Sequence, residues 1–244
     1  MLQINAAKGI HRIEDAYTNW YLVEDGGRLT VVDCGVPTSW ASLEAAVRAI
    51  GASSSDIEAI VLTHAHFDHI GFAERARSEL GVPILVHEND VPLTQHPHSY
   101  AHMRSRIPYL TNRAAVPIML SLIRNRAFWP PPIKEIVRFS SDTLDVPGSP
   151  RVIFTPGHTL GHCAFHFPDR EALIAGDAIV MLDPYTGSRG PQLVAKAATA
   201  DPERALASLD ELAKIEATLL TGHGTPWTNG MRAAIDRAKA RPIA

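Results

Sequence analysis

Apolar residues along the chain fall into short β-branched runs that are separated by stretches with helical spacing. The short runs lie between turn-forming residues and predict strands at residues 9–13, 19–23, 28–32, 57–62 and 82–86. Apolar positions spaced as on one face of a helix follow Pro37, and a second helical stretch covers residues 73–80. This alternation of strands and helices predicts an α/β fold.

The second half of the chain repeats this order. Apolar runs predict strands at residues 135–139, 151–155, 163–167, 172–175 and 218–221. Asp201 followed by Pro202 predicts the start of a helix that extends to about Ile215. Because each half runs from strands to helix to strand, we expect two stacked β-sheets with helices outside them, in a single domain over residues 1–244.

Residues 90–132, named the insertion below, depart from this pattern. They lack a strand signal, and they contain helical stretches at residues 100–110 and 114–126 that end before three consecutive prolines. We predict that the insertion is a helical cap on the α/β domain. Its aromatic residues Phe128 and Trp129 are candidate contacts for an apolar substrate.

Composition excludes several classes of partner. A net charge of −3 over 244 residues does not favour nucleic acid or an anionic membrane surface. The apolar runs are far shorter than the ~20 residues of a membrane span, and the N-terminus lacks the pattern of a secretory leader. We therefore expect a cytoplasmic protein with a small-molecule substrate. The oligomeric state is open, and a homodimer is compatible with the sequence.

Residues 63–71 concentrate candidate metal ligands directly after a predicted strand. Three histidines and one aspartate occupy six positions. His64 and His66 are two residues apart in extended backbone, so their side chains point to the same side. Asp68 and His69 lie where the chain turns into a helix and point elsewhere. Two ligands in each direction are what a pair of adjacent metal ions needs.

Three further predicted strands end in a candidate ligand. His158, Asp177 and His223 each follow a glycine, which lets the backbone turn sharply. One such residue alone is more often structural. Four strand ends that all terminate in histidine or aspartate are hard to explain by packing, because they would line one edge of the sheets with unpaired polar groups.

These motifs, at residues 63–71, 155–162, 176–177 and 222–224, resemble the metallo-β-lactamase superfamily, and the resemblance extends from about Asn19 to the C-terminus. It implies a four-layer αβ/βα sandwich with a two-metal site between the sheets. It further implies that Asp33 lies behind the ligands and orients them, and that His162 is structural. The ligands implied for the first metal are His64, His66 and His158, those for the second are Asp68, His69 and His223, and Asp177 bridges both.

The resemblance also implies a reaction. Five imidazoles and two carboxylates suit two Zn²⁺ ions, although Fe or Mn is compatible with the same ligands. We expect an enzyme in which a metal-bound hydroxide opens a lactone, ester or thioester of a small apolar acyl compound, with Asp68 and Asp177 as catalytic residues. The sequence is most similar to the lactonase and hydroxyacylglutathione hydrolase branch. The tyrosine that lactonases place three residues after the bridging aspartate is Val180 here, which leaves Tyr185 as a candidate substitute.

Two alternatives remain open at the level of sequence. Persulfide dioxygenases of the same superfamily use one iron, held at the positions of His64, His158 and Asp177. A metal-binding protein without turnover is the second alternative, because a fold does not by itself establish an activity.

Overall fold

The computed structural model describes residues 1–244, except for the side chain of Leu110. Its strands are β1 Leu2–Ala7, β2 Ile10–Asp15, β3 Thr18–Asp25, β4 Arg28–Val32, β5 Ile57–Val61, β6 Ile84–His87, β7 Val137–Phe139, β8 Arg151–Phe154, β9 Cys163–Phe167, β10 Ala172–Gly176, β11 Val180–Leu182, β12 Arg189–Gln192 and β13 Thr218–Thr221. Its α-helices are α1 Trp40–Ala49, α2 Ala73–Leu80, α3 Val91–Gln95, α4 Val116–Arg124, α5 Pro202–Leu212 and α6 Met231–Ala240. The predicted α/β fold class is confirmed.

The strands form two larger sheets and one hairpin. Strands β1 to β7 lie in sequence order in a seven-stranded sheet, in which β1 to β4 pair antiparallel and β4 to β7 pair parallel. The second sheet has the order β13-β10-β9-β8, and its β10 and β13 are parallel. Strands β11 and β12 pair only with each other among the described residues.

Alternation of side chains along the strands produces four layers. On β3, Trp20 and Leu22 pack towards α1 and α2, whereas Tyr21 and Val23 pack against side chains of the second sheet such as Phe165. Strands β10 and β13 place their opposite faces against α5 and α6. Because successive side chains of a strand point to opposite faces, each sheet can bury one face against helices and the other against the second sheet. The predicted four-layer αβ/βα sandwich is thereby confirmed.

The insertion is less helical than the sequence pattern predicts. Residues 100–106 are irregular, residues Ile107–Thr111 form a short 3₁₀ helix, and α4 is shorter than the predicted helix at residues 114–126. The prediction of a helix at residues 100–110 was therefore wrong. The physical reason is Pro108, which lacks an N–H and is tolerated in the first turn of a helix, where it lies in the 3₁₀ helix, but would break the interior of a longer helix.

Two further β elements were not predicted from the sequence. The edge strand β1 and the hairpin of β11 and β12 carry weak apolar alternation, and the sequence pattern did not reveal them.

Cys34 and Cys163 are both buried and free, so they form no disulfide. Among the described residues, each helix is too short or too polar to cross a bilayer.

Candidate metal centre

The carboxyl ends of five strands meet at one edge of the sandwich and supply most of the candidate ligands. Asp33 follows β4 and His64 lies just beyond β5, which is parallel to β4. On the second sheet, His158 lies beyond β8, Asp177 follows β10, and His223 lies beyond β13. Parallel pairing aligns the end of β4 with that of β5 and the end of β10 with that of β13, and β8 runs in the same direction as β10 because both pair antiparallel with β9.

The first cluster consists of His64, His66 and His158. One nitrogen from each ring lies within 4.8 Å of the others, and all three side chains are buried. Burial is the main cause that lowers the pKa of His158 to about 4, and burial also lowers the pKa of His64 and His66 well below the usual value. The three imidazoles are therefore neutral, which is the form that binds a metal ion.

The second cluster consists of Asp68, His69 and His223, again with one ligand atom from each residue within 4.8 Å of the others. Nε2 of His223 lies 3.5 Å from Oδ2 of Asp68. Burial acts to lower the pKa of His223, but the charges of Asp177 and Asp68 outweigh it and raise this pKa to about 10. This cluster therefore stabilises positive charge.

Asp177 lies between the two clusters. Its Oδ2 is 3.4 Å from Nε2 of His158 and 3.3 Å from Nε2 of His223, and its Oδ1 is 3.8 Å from Nε2 of His69. Burial acts to raise the pKa of Asp177, but His223 and His69 hold it well below the usual value. The carboxylate is thus charged, and it is placed to contact a cation in either cluster.

The donor atoms of the clusters fit divalent cations. Several of them are buried and have no hydrogen-bond partner among the described residues: Nε2 of His64, His66 and His69, both ring nitrogens of His158, and Oδ1 of Asp177. Buried polar atoms are almost always paired in folded proteins, so a group of unpaired ones needs an explanation. A bound metal ion would explain them, because nitrogen and carboxylate donors that face one another are the donor set that ions such as Zn²⁺ bind.

Asp33 orients the neighbouring groups. Its Oδ1 accepts a hydrogen bond from the backbone N–H of Thr63 at 2.8 Å, and its Oδ2 accepts one from the Thr63 hydroxyl at 2.8 Å. Nδ1 of His69 also lies 3.1 Å from Oδ2. Although Asp33, His64 and His69 form a third compact group, the carboxylate of Asp33 is occupied by these contacts and is better placed to position ligands than to bind a metal.

His162 lies beside the clusters, but both of its ring nitrogens are occupied. Nδ1 contacts the Thr155 hydroxyl at 2.8 Å, and Nε2 accepts a hydrogen bond from the backbone N–H of Asp177 at 3.0 Å. His162 therefore supports the position of Asp177 and has no free nitrogen to offer to a metal.

Sequence reasoning missed Asp90, a fully buried residue that joins two ligand loops. Its carboxylate accepts hydrogen bonds from the backbone N–H groups of Ala65 and Gly161 and from the hydroxyl of Thr159. The loop that carries His64 and His66 is thereby tied to the loop that follows His158. The available signal was an acidic residue just beyond strand β6, the same pattern that singled out Asp33.

Sequence reasoning also missed Asn19. Its side-chain amide donates to the carbonyl groups of Thr221 and Gly224, both at 2.7 Å, and so holds the loop that carries His223. A polar residue inside the apolar run of β3 was the signal for this role, because a buried amide must find partners.

Two cavities lie beside the clusters and share part of their lining. A cavity of about 40 Å³ is lined by Asp68, Asp177 and three of the clustered histidines, and a larger one of about 330 Å³ extends beneath the insertion. The two share six lining residues: Phe67, Tyr100, Met119, Phe128, Pro184 and Tyr185. Tyr185 and Phe128, both candidates from the sequence, therefore line both cavities.

Trp129 does not occupy the position expected for a substrate contact. Its side chain is 64% exposed and lines neither cavity, although it packs edge-on against Phe128. The physical reason is the packing of the preceding residue. Phe128 packs on Phe67, with ring centroids 4.9 Å apart, and the adjacent Trp129 side chain points to solvent.

Comparison with known proteins agrees with this geometry. The chain is 28% identical to the probable metallo-hydrolase YflN of Bacillus subtilis, over 91% of this chain and 86% of that protein. It is 29% identical to a hydroxyacylglutathione hydrolase of Cereibacter sphaeroides, over 66% of this chain and 48% of that protein. The crystal structure of TTHA1623 in a di-iron-bound form is 28% identical and superposes with a TM-score of 0.65, covering 91% of this chain and 95% of that one.

A family model described as the metallo-beta-lactamase superfamily matches residues 13–223, which is most of the chain. The match includes every residue of both metal-ligand clusters and the six residues that line both cavities. On this evidence, the chain belongs to the metallo-beta-lactamase superfamily.

Proposed function

We propose that this protein is a hydrolase with a two-metal site that opens the ester, thioester or lactone bond of an apolar acyl compound. The observation that carries the proposal is the position of Asp177, between two histidine-rich clusters and at one end of an apolar cavity. The proposed ligands are His64, His66 and His158 for one cation and Asp68, His69 and His223 for the other, with Asp177 in contact with both.

When bound, a pair of divalent cations lowers the pKa of a shared water and polarises the carbonyl group of a substrate. The chain itself contributes neutral imidazoles in the first cluster, because burial keeps them unprotonated. Asp68 and Asp177 are the two carboxylates in the proposed ligand set, so they neutralise only part of the positive charge of two divalent ions. The remaining charge favours the oxyanion that develops during acyl transfer.

The lining of the cavities supports an apolar acyl group. Phe67, Phe128, Met119 and Leu120 contribute apolar surface, and Tyr100 packs against the ring of His66 with a centroid distance of 4.2 Å. Burial of an acyl chain in such a cavity contributes about 0.8 kcal/mol for each methylene group. The reacting carbonyl would then lie in the smaller cavity, next to Asp68 and Asp177.

We propose Zn²⁺ as the natural metal, since the ligands are imidazoles and carboxylates. The same donors accept iron, and the relative TTHA1623 has been solved in a di-iron-bound form. Because these donors accept iron, a second candidate function remains open: a mononuclear iron dioxygenase acting on a persulfide, with His64, His158 and Asp177 as ligands. The lining favours the hydrolase, because Arg106 is the only lysine or arginine among the described lining residues, whereas a glutathione persulfide would bring two carboxylates and an ammonium group into the cavity.

Metal analysis followed by activity assays tests the proposal. Protein purified without added metal should contain close to two metal ions per chain, and chelation should abolish hydrolysis of aryl esters, thioesters or lactones until Zn²⁺ is restored. Full activity in the presence of chelator would overturn the proposal. Oxygen consumption with glutathione persulfide by an iron-loaded sample, without hydrolysis by a zinc-loaded one, would favour the dioxygenase instead. A metal-loaded protein that is inactive in both assays would be a binding protein without turnover.

A further inference from the structure

The larger cavity is lined by an arginine and a tyrosine that do not line the smaller cavity beside the ligand clusters. Arg106 and Tyr109 line it together with apolar and aromatic side chains, and neither residue lines the smaller cavity beside Asp177. Among the described lining residues, Arg106 is the only lysine or arginine. A charged group in a largely apolar cavity helps to set the orientation and identity of a ligand.

Both residues have a buried polar atom without a partner. Nε of Arg106 and the hydroxyl oxygen of Tyr109 are buried and make no hydrogen bond to any described residue. A buried donor left unpaired costs about 1–3 kcal/mol, and more when it is charged. The two donors therefore mark a place where a hydrogen-bond acceptor would be stabilised.

Local backbone geometry places the two donors on one face. The backbone N–H of Tyr109 donates to the carbonyl oxygen of Arg106 at 3.1 Å, at the start of the 3₁₀ helix. In a 3₁₀ helix, side chains three residues apart are eclipsed. The guanidinium of Arg106 is held over the ring of Tyr100, 4.5 Å from its centroid, and the ring of Tyr109 packs edge-on against Tyr185. Aromatic contacts thus fix both donors before any ligand arrives.

The positive charge of the insertion indicates that the ligand is negatively charged. After Asp90, the insertion contains five arginines and no acidic residue, within a chain whose net charge is −3. Arginine is well suited to bind carboxylate or phosphate, since its guanidinium offers several N–H donors in a fixed plane. An anionic ligand would therefore be attracted to this side of the molecule and would find two unpaired donors there.

We propose that Arg106 and Tyr109 bind a terminal anionic group of the substrate, at the opposite end of the acyl chain from the bond that is cleaved. The substrate class is then an ester, thioester or lactone whose apolar acyl part ends in a carboxylate or a phosphate. This inference rests on the proposed hydrolase function and names the substrate of that same site. Aromatic side chains that line both cavities contact the apolar part of the substrate. Binding of the anionic end then determines how far the substrate enters the larger cavity.

Matched substrates test this assignment. The metal-loaded enzyme is assayed with 4-nitrophenyl esters of equal chain length that end in a carboxylate, a phosphate or a neutral methyl ester, and with 4-nitrophenyl acetate. We expect kcat/KM for the preferred anionic ester to exceed that for the neutral ester by about 10- to 100-fold, the range of a hydrogen-bonded charge pair. The comparison of the carboxylate and the phosphate identifies the group.

Variants separate local contact from overall charge. Arg106→Gln should abolish the preference for the anionic ester, measured as the ratio of kcat/KM for the anionic ester to that for the neutral ester, and Arg106→Lys should retain part of this preference. Tyr109→Phe, which removes only the hydroxyl, should reduce the preference several-fold. Arg124→Gln is the matched control, because Arg124 is an exposed arginine of the same insertion that lines neither cavity. If Arg124→Gln reduces the preference as much as Arg106→Gln, the effect is general electrostatic attraction and the assignment is wrong.

A binding assay without metal makes the inference independent of turnover. Suberic acid monomethyl ester is titrated into metal-free protein by calorimetry, with dimethyl suberate as the neutral comparison. Arg106→Gln should weaken binding of the monoanion about 10-fold or more and leave the diester unaffected. Equal binding of both compounds by the unsubstituted protein would overturn the inference, even if simple esters are hydrolysed. If no ester is hydrolysed but the monoanion binds through Arg106, the proposed function fails and the anion site stands.

Discussion

Nδ1 of His69 lies 3.1 Å from the carboxylate of Asp33, and this contact directs Nε2 of the same ring towards Asp177 at 3.8 Å. A histidine that donates its Nδ1 hydrogen to a carboxylate keeps the Nε2 lone pair free for a metal. Asp33 adopts a positive φ of 61°, a conformation that aspartate and asparagine tolerate better than most residues. Strand β4 thus ends in a residue whose backbone and side chain both serve the second cluster.

We predict that Asp33→Asn weakens binding of the cation in the second cluster. Asparagine tolerates the backbone conformation, and its carbonyl oxygen can still accept from the N–H of Thr63. Its amide group would then face Nδ1 of His69 and favour the tautomer that carries hydrogen on Nε2. Affinity for the second cation should fall by about 10- to 100-fold, measured by competition with a chromophoric chelator. Unchanged affinity for both cations would show that Asp33 does not set the tautomer.

We predict that Asp68→Ala removes the second cation and nearly all turnover while leaving the fold intact. The carboxylate of Asp68 lies 3.5 Å from Nε2 of His223 and accepts a long hydrogen bond of 3.4 Å from the Thr18 hydroxyl. Few other polar contacts depend on this carboxylate, so we expect its removal to weaken metal binding more than folding. Metal content by mass spectrometry and turnover of a simple ester check the prediction. An unfolded variant by circular dichroism would mean that Asp68 is structural.

We predict that Gly222→Ala displaces Asp177. A β-carbon at position 222 would overlap Oδ1 of Asp177 and approach Cε1 of His69 at 2.9 Å. Both groups belong to the proposed metal site, so metal content should fall even if the chain remains folded. Gly51→Ala is the control, because Gly51 has a positive φ of 77° but open space around it. That control should lower the free energy of unfolding by about 1–2 kcal/mol and leave the metal content unchanged.

We predict opposite outcomes for two adjacent aromatic residues. Phe128→Ala should lower kcat/KM for esters with a long acyl chain, because Phe128 lines both cavities. The expected loss corresponds to ~1–3 kcal/mol of transition-state stabilisation. Trp129→Ala should leave it unchanged, because the Trp129 side chain is 64% exposed and lines neither cavity. Neither variant should affect hydrolysis of an acetate ester or the metal content. Equal losses on long and short substrates would mean that Phe128 only supports the fold.

The chemical identity of the candidate centre follows from local sequence. His64, His66, Asp68 and His69 lie within six residues, and His158, Asp177 and His223 each follow a strand and a glycine. These signals are short-range, and the strands that carry them have apolar runs strong enough to be predicted individually. Parallel pairing of β4 with β5 and of β10 with β13 then brings the strand ends together. The fold class and the candidate ligands could therefore be predicted from the sequence.

Tertiary structure alone decided what lies around that centre. Phe128 faces the cavity and Trp129 faces solvent, although nothing in their local sequence separates them. The insertion has little regular structure, and its path depends on long-range contacts such as His98 with the carbonyl oxygen of Phe128 at 2.8 Å and Asn112 with that of Thr186 at 3.0 Å. The unpaired donors of Arg106 and Tyr109 are also a property of the packed state. Ligand types are encoded by residues close in sequence, whereas the direction of a side chain in an irregular segment is set by the distant residues that pack against it.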